Sequence, residues 1–126
     1  MKTHSGHIVF NKKVQFKDLA PICKDLIVKF INETKQVSED PDFLDIIVDA
    51  NLIDLKNNRK PEGFNRMGNM RMIFPIRDRE GVEFYIYRSS SSTDITRVTE
   101  SISRLLQKKG LKHDVCWDKM HSENTK

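Results

Sequence analysis

The sequence predicts an α+β domain in which an antiparallel sheet of about four to five strands carries two helices packed on one face. Three observations lead to this prediction. Apolar residues recur at helical spacing in two segments, they alternate with polar residues in several others, and an Asp-Arg-Glu-Gly turn joins two of the alternating segments. The predicted order of elements is β-α-β-β-β-α-β.

The first two elements are a short strand over Ile8 to Val14 and a helix. The apolar residues of the helix recur at spacings of three and four positions and are Leu19, Ile22, Cys23, Leu26, Ile27, Phe30 and Ile31. Asp18 can cap this helix, and Pro21 fits only its first turn because proline lacks the N–H that a helix interior uses. The helix is therefore expected to begin near Asp18 or Leu19 and to end near Asn32 to Thr34.

The segment from Phe43 to Leu55 fits either a strand or a helix. Its apolar residues alternate as in a strand, whereas Asp40-Pro41 ahead of them resembles the start of a helix. The β-branched run Ile46-Ile47-Val48 favours a strand, so a strand is the preferred interpretation. In that strand Asp45 and Asp49 would face water.

A β-hairpin follows, with strands over Met70 to Ile76 and Val82 to Tyr87. Gly81 closes the turn between them, since glycine adopts a positive φ at little cost. Pro75 cannot donate a ladder hydrogen bond, so its strand is expected at a sheet edge or at a bulge.

The last helix has the clearest pattern in the chain. Its apolar residues are Ile95, Val98, Ile102, Leu105 and Leu106. Thr93 or a preceding serine can cap its start, and Gly110 supplies a left-handed residue after its end. His113, Val115 and Trp117 then alternate, which predicts a short last strand.

The chain has 126 residues, of which 37% are hydrophobic, enough for one modest core. A single domain over 1–126 is therefore expected, with a flexible polar tail from about residue 121. Charges interrupt every apolar run, so no membrane-spanning helix is expected. The N-terminus has no apolar signal core, and Cys23 and Cys116 are too few for a disulfide framework. A cytoplasmic location with two buried thiols is the resulting expectation.

The predicted order of elements is similar to that of double-stranded RNA-binding domains and of ribosome hibernation-promoting factors. The resemblance concerns the order alone. At the start of the last helix, where the first family has a stretch rich in Gly and Lys, this chain has Ser90-Ser91-Ser92-Thr93-Asp94. The sequence therefore assigns no family.

Charge is segregated along the chain, although the net charge is only +4. The segment Val37 to Leu55 contains six acidic residues and no basic one. The next segment, Lys56 to Met72, contains five basic residues against Glu62 alone. Such segregation is typical of surfaces that bind a partner.

The loop from Asn57 to Met72 is the first candidate site, because it is polar, basic and rich in Gly, Pro and Asn. Guanidinium groups pair with phosphate, and an aromatic ring can stack on a base. Together with the basic end of the last helix, the predicted nucleic-acid-binding residues are Arg59, Lys60, Phe64, Arg66, Arg71, Lys108, Lys109 and Lys112. Two alternatives need no nucleic acid. The loop serves only as a solvated connection between strands in one of them, and in the other the lysines occur at the helix end because the helix dipole favours cations there.

The leading hypothesis is a small non-enzymatic binding or regulatory protein that contacts RNA or a ribonucleoprotein. It predicts that Arg66→Ala and Arg71→Ala each weaken binding. The rival is a protein-interaction module, such as an inhibitor, immunity or phage-type regulatory protein. It would use the exposed edge of the Met70 to Ile76 strand or the acidic residues Glu39, Asp42, Asp45 and Asp49. The alternative is that these acidic residues form a solvated face that binds no partner.

Enzyme and metal motifs are absent from the sequence, which has no Gly-rich phosphate loop, no nucleophile elbow and no His-Glu-x-x-His. His113, Cys116 and His121 lack the spacing of a zinc site. His4 and His7 are expected in a mobile terminus. Residues that a metal-dependent nuclease could use are scattered and read equally well as ordinary surface charges: Lys13, Asp78, Glu80 and Glu83. We therefore expect no metal, no cofactor and no enzymatic activity.

Overall fold

The computed structural model describes residues 3–66, 69–76 and 81–118, with the backbone alone for 89–92. Within this part of the chain it confirms the α+β class, with one antiparallel sheet of four strands and three α-helices. The elements are β1 (Thr3–Phe10), a 3-10 helix (Phe16–Ile22), α1 (Cys23–Glu33), α2 (Phe43–Lys56), β2 (Arg71–Ile73), β3 (Glu83–Ser92), α3 (Thr93–Lys108) and β4 (His113–Trp117).

The strands lie in the order β2-β3-β1-β4, and every neighbouring pair is antiparallel. Strand β1 is interior, with Ile8 opposite Phe84 on one side and opposite Val115 on the other. Strands β2 and β3 pair as the predicted hairpin, although β2 covers only Arg71–Ile73, β3 continues to Ser92, and turn residues 78–80 lie outside the described residues. Strand β2 forms one edge of the sheet and ends before Pro75, as the missing N–H of proline predicts.

The helices cover one face of the sheet. On that face Ile8, Met72, Phe84 and Ile86 are all 0% exposed. Helix α3 packs against β1 and β3, α1 packs against α3, and α2 lies outermost on α1 and the 3-10 helix. Burial of apolar side chains between these layers is the main force that stabilises the fold.

Helix α3 and strand β4 match the sequence prediction. The buried face of α3 includes Ile95, Val98, Ile102 and Leu106. Gly110 follows in the left-handed conformation, with φ of 78°, and the Leu111 N–H donates to the Leu106 carbonyl over 3.0 Å. This is the expected helix end, because the glycine lets the chain reverse while the last carbonyls stay bonded.

The preferred interpretation of Phe43 to Leu55 as a strand is wrong, because this segment is helix α2. Its buried residues follow a helical spacing and are Ile47, Val48, Asn51 and Leu55. The alternation misled because two of its apolar residues, Ile46 and Ala50, are exposed on the surface of the helix. Asp40 starts the turn before the helix, where its carboxylate accepts the Asp42 N–H at 2.9 Å. The observed order is therefore β-α-α-β-β-α-β.

The bounds of the first elements also differ from the prediction. Strand β1 begins at Thr3 and ends at Phe10, so His4 and His7 lie in the sheet rather than in a mobile terminus. The sequence pattern missed the first part of this strand because its residues are polar or small. It is a strand nevertheless, since pairing with β3 and β4 outweighs its weak strand propensity. Pro21 falls in the 3-10 helix, and the α-helix starts only at Cys23.

Several predictions fall outside the described residues, namely the polar tail from 121, the turn residues 78–80, and the roles of Asp78, Glu80 and His121. Among the residues that are described, no helix combines the length and the apolar character needed to cross a bilayer.

Candidate functional site

The loop after α2 is anchored to the core at its centre. Asn51 is buried, its Nδ2 donates to the Gly63 carbonyl at 3.0 Å, and its Oδ1 accepts the Gly63 N–H at 2.8 Å. The next residue, Phe64, exchanges two backbone hydrogen bonds with Met72. Hydrogen bonds to α2 and to β2 therefore fix the middle of the loop.

Phe64 belongs to the core, which corrects its predicted role in base stacking. Its side chain is 5% exposed, and its ring centroid lies 5.5 Å from that of Phe30 and 6.1 Å from that of Phe43. Both separations are typical of packed aromatic pairs. The ring is not accessible to a base.

The three arginines of the loop have partners within the chain. Arg59 Nη2 lies 3.1 Å from Asp54 Oδ1, and Arg71 Nη1 donates to Asn65 Oδ1 at 3.3 Å. The Arg66 guanidinium lies 5.4 Å from the centre of the Phe43 ring, a cation–π distance. Arg59 and Arg66 remain exposed, so their charges still reach solvent.

The structure separates the predicted basic residues into two groups. Arg71 pairs with Tyr87, whose other neighbour is Ser5 near the start of β1. The Lys112 carbonyl instead accepts the Asn11 N–H just after β1 ends, beside the opposite edge strand. Strand geometry places the two about 20 Å apart along the strands and about 14 Å across the sheet. Arg66 lies beside the first residue of α2 and is also far from Lys112.

Three loops converge at the end of the sheet where β1 finishes. Asn58, after α2, accepts the Lys17 N–H at 3.1 Å and donates to Gln15 Oε1 at 3.1 Å. Asn11 holds the turn after β1 by accepting the Val14 N–H, and its own N–H bonds Lys112. The α2 exit, the β1 exit and the α3 exit thus form one continuous surface.

Nine cations lie on or beside these loops. We call this surface the basic end, and its members are Lys12, Lys13, Lys17, Lys56, Arg59, Lys60, Lys108, Lys109 and Lys112. Arg59 pairs with Asp54, and Lys109 Nζ lies 3.0 Å from Asp25 Oδ2. The remaining seven are exposed lysines for which the structure records no ion pair within the described residues. Two exposed acidic residues, Asp18 and Glu62, lie within two positions of Lys17 and Lys60, so the basic end presents an excess of positive charge.

A cleft of about 400 Å³ opens at the basic end. Its lining residues are Lys12, Val14, Gln15, Phe16, Asn58, Gly81 and Val82. This volume falls within the range of sites for small molecules, and the amide of Asn58 and the Lys12 ammonium can serve an anionic group there.

The acidic residues of the rival hypothesis lie before and along α2. Glu39, Asp42, Asp45 and Asp49 are all exposed. The same side of the helix carries Ile46 and Ile53, each 59% exposed. The strand edge of that hypothesis is β2, beyond which Ile76 is 91% exposed.

A row of polar side chains lies on the sheet face opposite the helices, and it was not among the predicted sites. Ser5 Oγ is 2.8 Å from His7 Nε2, and His7 Nδ1 is 4.0 Å from Glu83 Oε2. The Tyr85 ring stacks on the imidazole at 4.9 Å. Burial raises the pKa of Tyr85, and the charges of Tyr87 and Glu83 raise it further. The spacing that could have revealed the row is the alternation of Ser5 and His7.

This row resembles the order of groups in a catalytic triad, but its surroundings do not suit a nucleophile. Ser5 is 1% exposed and His7 is 3% exposed, so no substrate reaches the hydroxyl. The separation of 4.0 Å between His7 and Glu83 also exceeds a hydrogen bond. Cys116, opposite His7 on β4, is half-buried. We regard the row as a polar network inside the sheet.

Within the described residues, no cluster of three His, Cys, Asp or Glu side chains could hold a metal ion. His113 and Cys116 do lie on opposite faces of β4, since His113 pairs with Phe10 and Cys116 with His7. Comparison of the chain with protein-family models, with curated proteins and with solved structures finds no match.

Sequence reasoning missed Lys12, Lys13 and Lys17 as members of the basic surface. The pair Lys12-Lys13 and the nearby Lys17 are visible in the sequence. They lie more than 40 positions before Arg59, however, and only the hydrogen bonds of Asn58 join the two regions.

Proposed function

We propose that the chain binds the phosphate backbone of a nucleic acid, as free RNA or within a ribonucleoprotein, at its basic end. The observation that supports this most strongly is the convergence of three loops, joined through Asn58 and Asn11, which gathers seven exposed lysines on one surface. Lysine contacts to phosphates release condensed counterions, and this release drives association at low salt.

The binding is expected to be independent of base sequence. Lysine is a point charge that suits phosphate, and the one aromatic residue of the predicted site, Phe64, lies in the core. Phosphate contacts position a protein on a nucleic acid but carry no sequence information directly. The cleft beside Lys12 offers a place for one phosphate or sugar.

The test is fluorescence anisotropy of labelled single-stranded and duplex RNA and DNA, titrated between about 50 and 200 mM salt. The triple variant Lys12→Ala, Lys13→Ala, Lys17→Ala should weaken binding and reduce the salt slope by about two to three units. The four probes distinguish RNA from DNA and single strands from duplexes.

The double variant Arg66→Ala, Arg71→Ala is the matched control, because it also removes positive charge but far from the basic end. It should leave the salt slope nearly unchanged. A loss of binding in this control, with normal binding by the lysine variant, would return the site to the loop predicted from the sequence. Absence of binding to all four probes at the lowest salt would reject the function.

A further inference from the structure

A half-buried aromatic side chain lies at the basic end, in the cleft beside Lys12. Phe16 is the first residue of the 3-10 helix, and its ring lines this cleft together with Lys12, Val14 and Asn58. Part of the ring therefore faces the cleft, whereas Phe64 is 5% exposed and belongs to the core. The cleft combines an aromatic surface with the positive charge of the basic end.

Packing on the core and hydrogen bonds of the backbone hold this ring in place. Its centroid lies 6.4 Å from that of Phe74, which is 3% exposed. On one side of the ring the Lys17 N–H donates to Asn58 Oδ1 at 3.1 Å. On the other side the Gln15 N–H donates to Asp18 Oδ2 at 2.8 Å. The ring is therefore already positioned to receive a flat ligand, and little ordering is needed on binding.

Amide groups at the same cleft can bind the polar edge of such a ligand. Gln15 and Asn58 both line the cleft and are exposed. Asn58 Nδ2 donates to Gln15 Oε1 at 3.1 Å, which uses one hydrogen of that amide. An amide nitrogen carries two hydrogens, so the second hydrogen of Asn58 and both hydrogens of Gln15 lie outside this bond. The cleft thus offers an aromatic ring, amide donors and, at Lys12, a cation.

A nucleotide has the three groups that these side chains bind. Its base is a flat ring that stacks on aromatic side chains, the edge of the base accepts hydrogen bonds, and its phosphate pairs with a cation. A cleft of about 400 Å³ can hold one such unit. A single aromatic anion would need one cation only, whereas seven exposed lysines suit a chain of phosphates.

We propose that the cleft holds one unpaired base of a nucleic acid, stacked on Phe16, with its phosphate beside Lys12. The neighbouring phosphates lie on the other exposed lysines of the basic end. This inference rests on the proposed function and adds a contact that only an unpaired strand can make, since the bases of a duplex are stacked inside it. The contact does not select a base, because every base has a face that can stack.

The test compares a single strand with the same backbone lacking its bases. The probes are a labelled pyrimidine oligomer of about eight nucleotides, an abasic oligomer and a duplex of the same length, made with the sugar that the chain binds more tightly in the test above. Their affinities for the full chain are measured by anisotropy at low salt. The pyrimidine oligomer should bind about tenfold more tightly than the abasic oligomer, because only the former supplies a base to the cleft.

Substitutions of the ring separate stacking from attraction between charges. Phe16→Leu keeps an apolar side chain over Phe74 but removes the aromatic face. It should weaken binding of the pyrimidine oligomer about tenfold, with no effect on the abasic oligomer or the duplex and no change in the salt slope. Phe16→Trp should retain the preference, and its fluorescence should be quenched by the pyrimidine oligomer but not by the abasic one. The wild-type chain, whose one tryptophan is Trp117, supplies the baseline.

Phe43→Leu is the matched control for the loss of a half-buried ring. Phe43 also packs on a core ring, with its centroid 6.1 Å from that of Phe64. It is the first residue of α2, whereas Asn58 follows the last, so the length of the helix, about 21 Å, separates it from the cleft. This variant should bind all three probes as the wild-type chain does.

Three results would overturn the inference and leave the proposed function intact. The first is equal affinity of the wild-type chain for the pyrimidine and abasic oligomers. The second is unchanged affinity for the pyrimidine oligomer in Phe16→Leu, and the third is an equal loss of affinity for all three probes in that variant. Absence of binding to every probe rejects the proposed function and the inference with it. Circular dichroism of each variant establishes that it is folded.

Discussion

At the scale of single residues, helix and strand approach each other closely where α3 crosses β1. Gly6 faces Thr99, and a Cβ at position 6 would sit 2.8 Å from the Thr99 Cβ. Thr99 is fully buried, and its Oγ1 has no hydrogen-bond partner within the described residues. Glycine at position 6 is therefore required by the distance between helix and strand and not by its backbone freedom.

Replacing Gly6 tests this contact. We expect Gly6→Ala to lower the free energy of unfolding by about 1–3 kcal/mol, because α3 must move away from the sheet to admit the methyl group. Chemical denaturation at equilibrium measures the change. Thr99→Val, which removes an unbonded hydroxyl at nearly constant volume, should leave stability unchanged or raise it. If Gly6→Ala is neutral, helix and strand are less closely packed than this contact implies.

At the scale of elements, α2 determines the shape of the loop that follows it. The side chain of Asn51 makes two hydrogen bonds with the backbone of Gly63, whose φ is 76°. A Cβ at position 63 would lie 2.5 Å from the Met72 carbonyl oxygen, so glycine is required there for both conformation and space. This attachment brings Phe64 into the core and leaves the ends of the loop exposed.

Removing the Asn51 side chain should release the loop. We expect Asn51→Ala to cost about 2–3 kcal/mol of unfolding free energy, because it leaves the N–H and C=O of Gly63 buried without partners. Amide hydrogen exchange should show loss of protection at Gly63. The control is Asn57→Ala, an exposed asparagine at the end of the same helix, which should cost less than about 0.5 kcal/mol. Full protection of Gly63 in Asn51→Ala would contradict this account.

At the scale of the whole molecule, the two cysteines differ in their access to solvent, since Cys23 is buried and Cys116 is half-buried. Cys23, the first residue of α1, is 2% exposed, and burial raises its pKa from 9.0 to about 11. Cys116 is half-buried on the edge strand β4. Because the thiolate is the reactive species, a thiol with a pKa near 11 stays protonated and inert at pH 8.

Thiol labelling at pH 8 should therefore be biphasic. One cysteine of the native chain should react with an aromatic disulfide reagent, and the second should react only as the chain unfolds. Cys116→Ser should remove the early phase and leave the late one. Simultaneous reaction of both thiols in the native state would show that Cys23 is accessible without global unfolding.

The tertiary structure also determines how the charged residues are distributed over the surface. Acidic residues that are neighbours in sequence remain together, before and along α2. The basic residues are redistributed, since Arg66 and Arg71 lie at one end of the fold and the lysines of three separate loops lie at the other. A charge cluster in sequence is thus a reliable indicator of a surface only within one regular element.

Local sequence patterns were sufficient to predict the α+β class, the pairing of β2 with β3, helix α3 with its glycine end, and strand β4. In these elements the local pattern and the burial agree, because each has one apolar side and a turn residue that stops it. The tertiary structure alone decided three features. Helix α2 looked like a strand because Ile46 and Ala50, apolar residues on its exposed side, complete an alternation with apolar residues on its other side. Strand β1 extended to Thr3 because Thr3 and Ser5 pair with β3 and Asp118 accepts the His4 and Ser5 N–H groups. The basic end exists only because hydrogen bonds of Asn58 and Asn11 join loops that are distant in sequence, and no local pattern encodes such contacts.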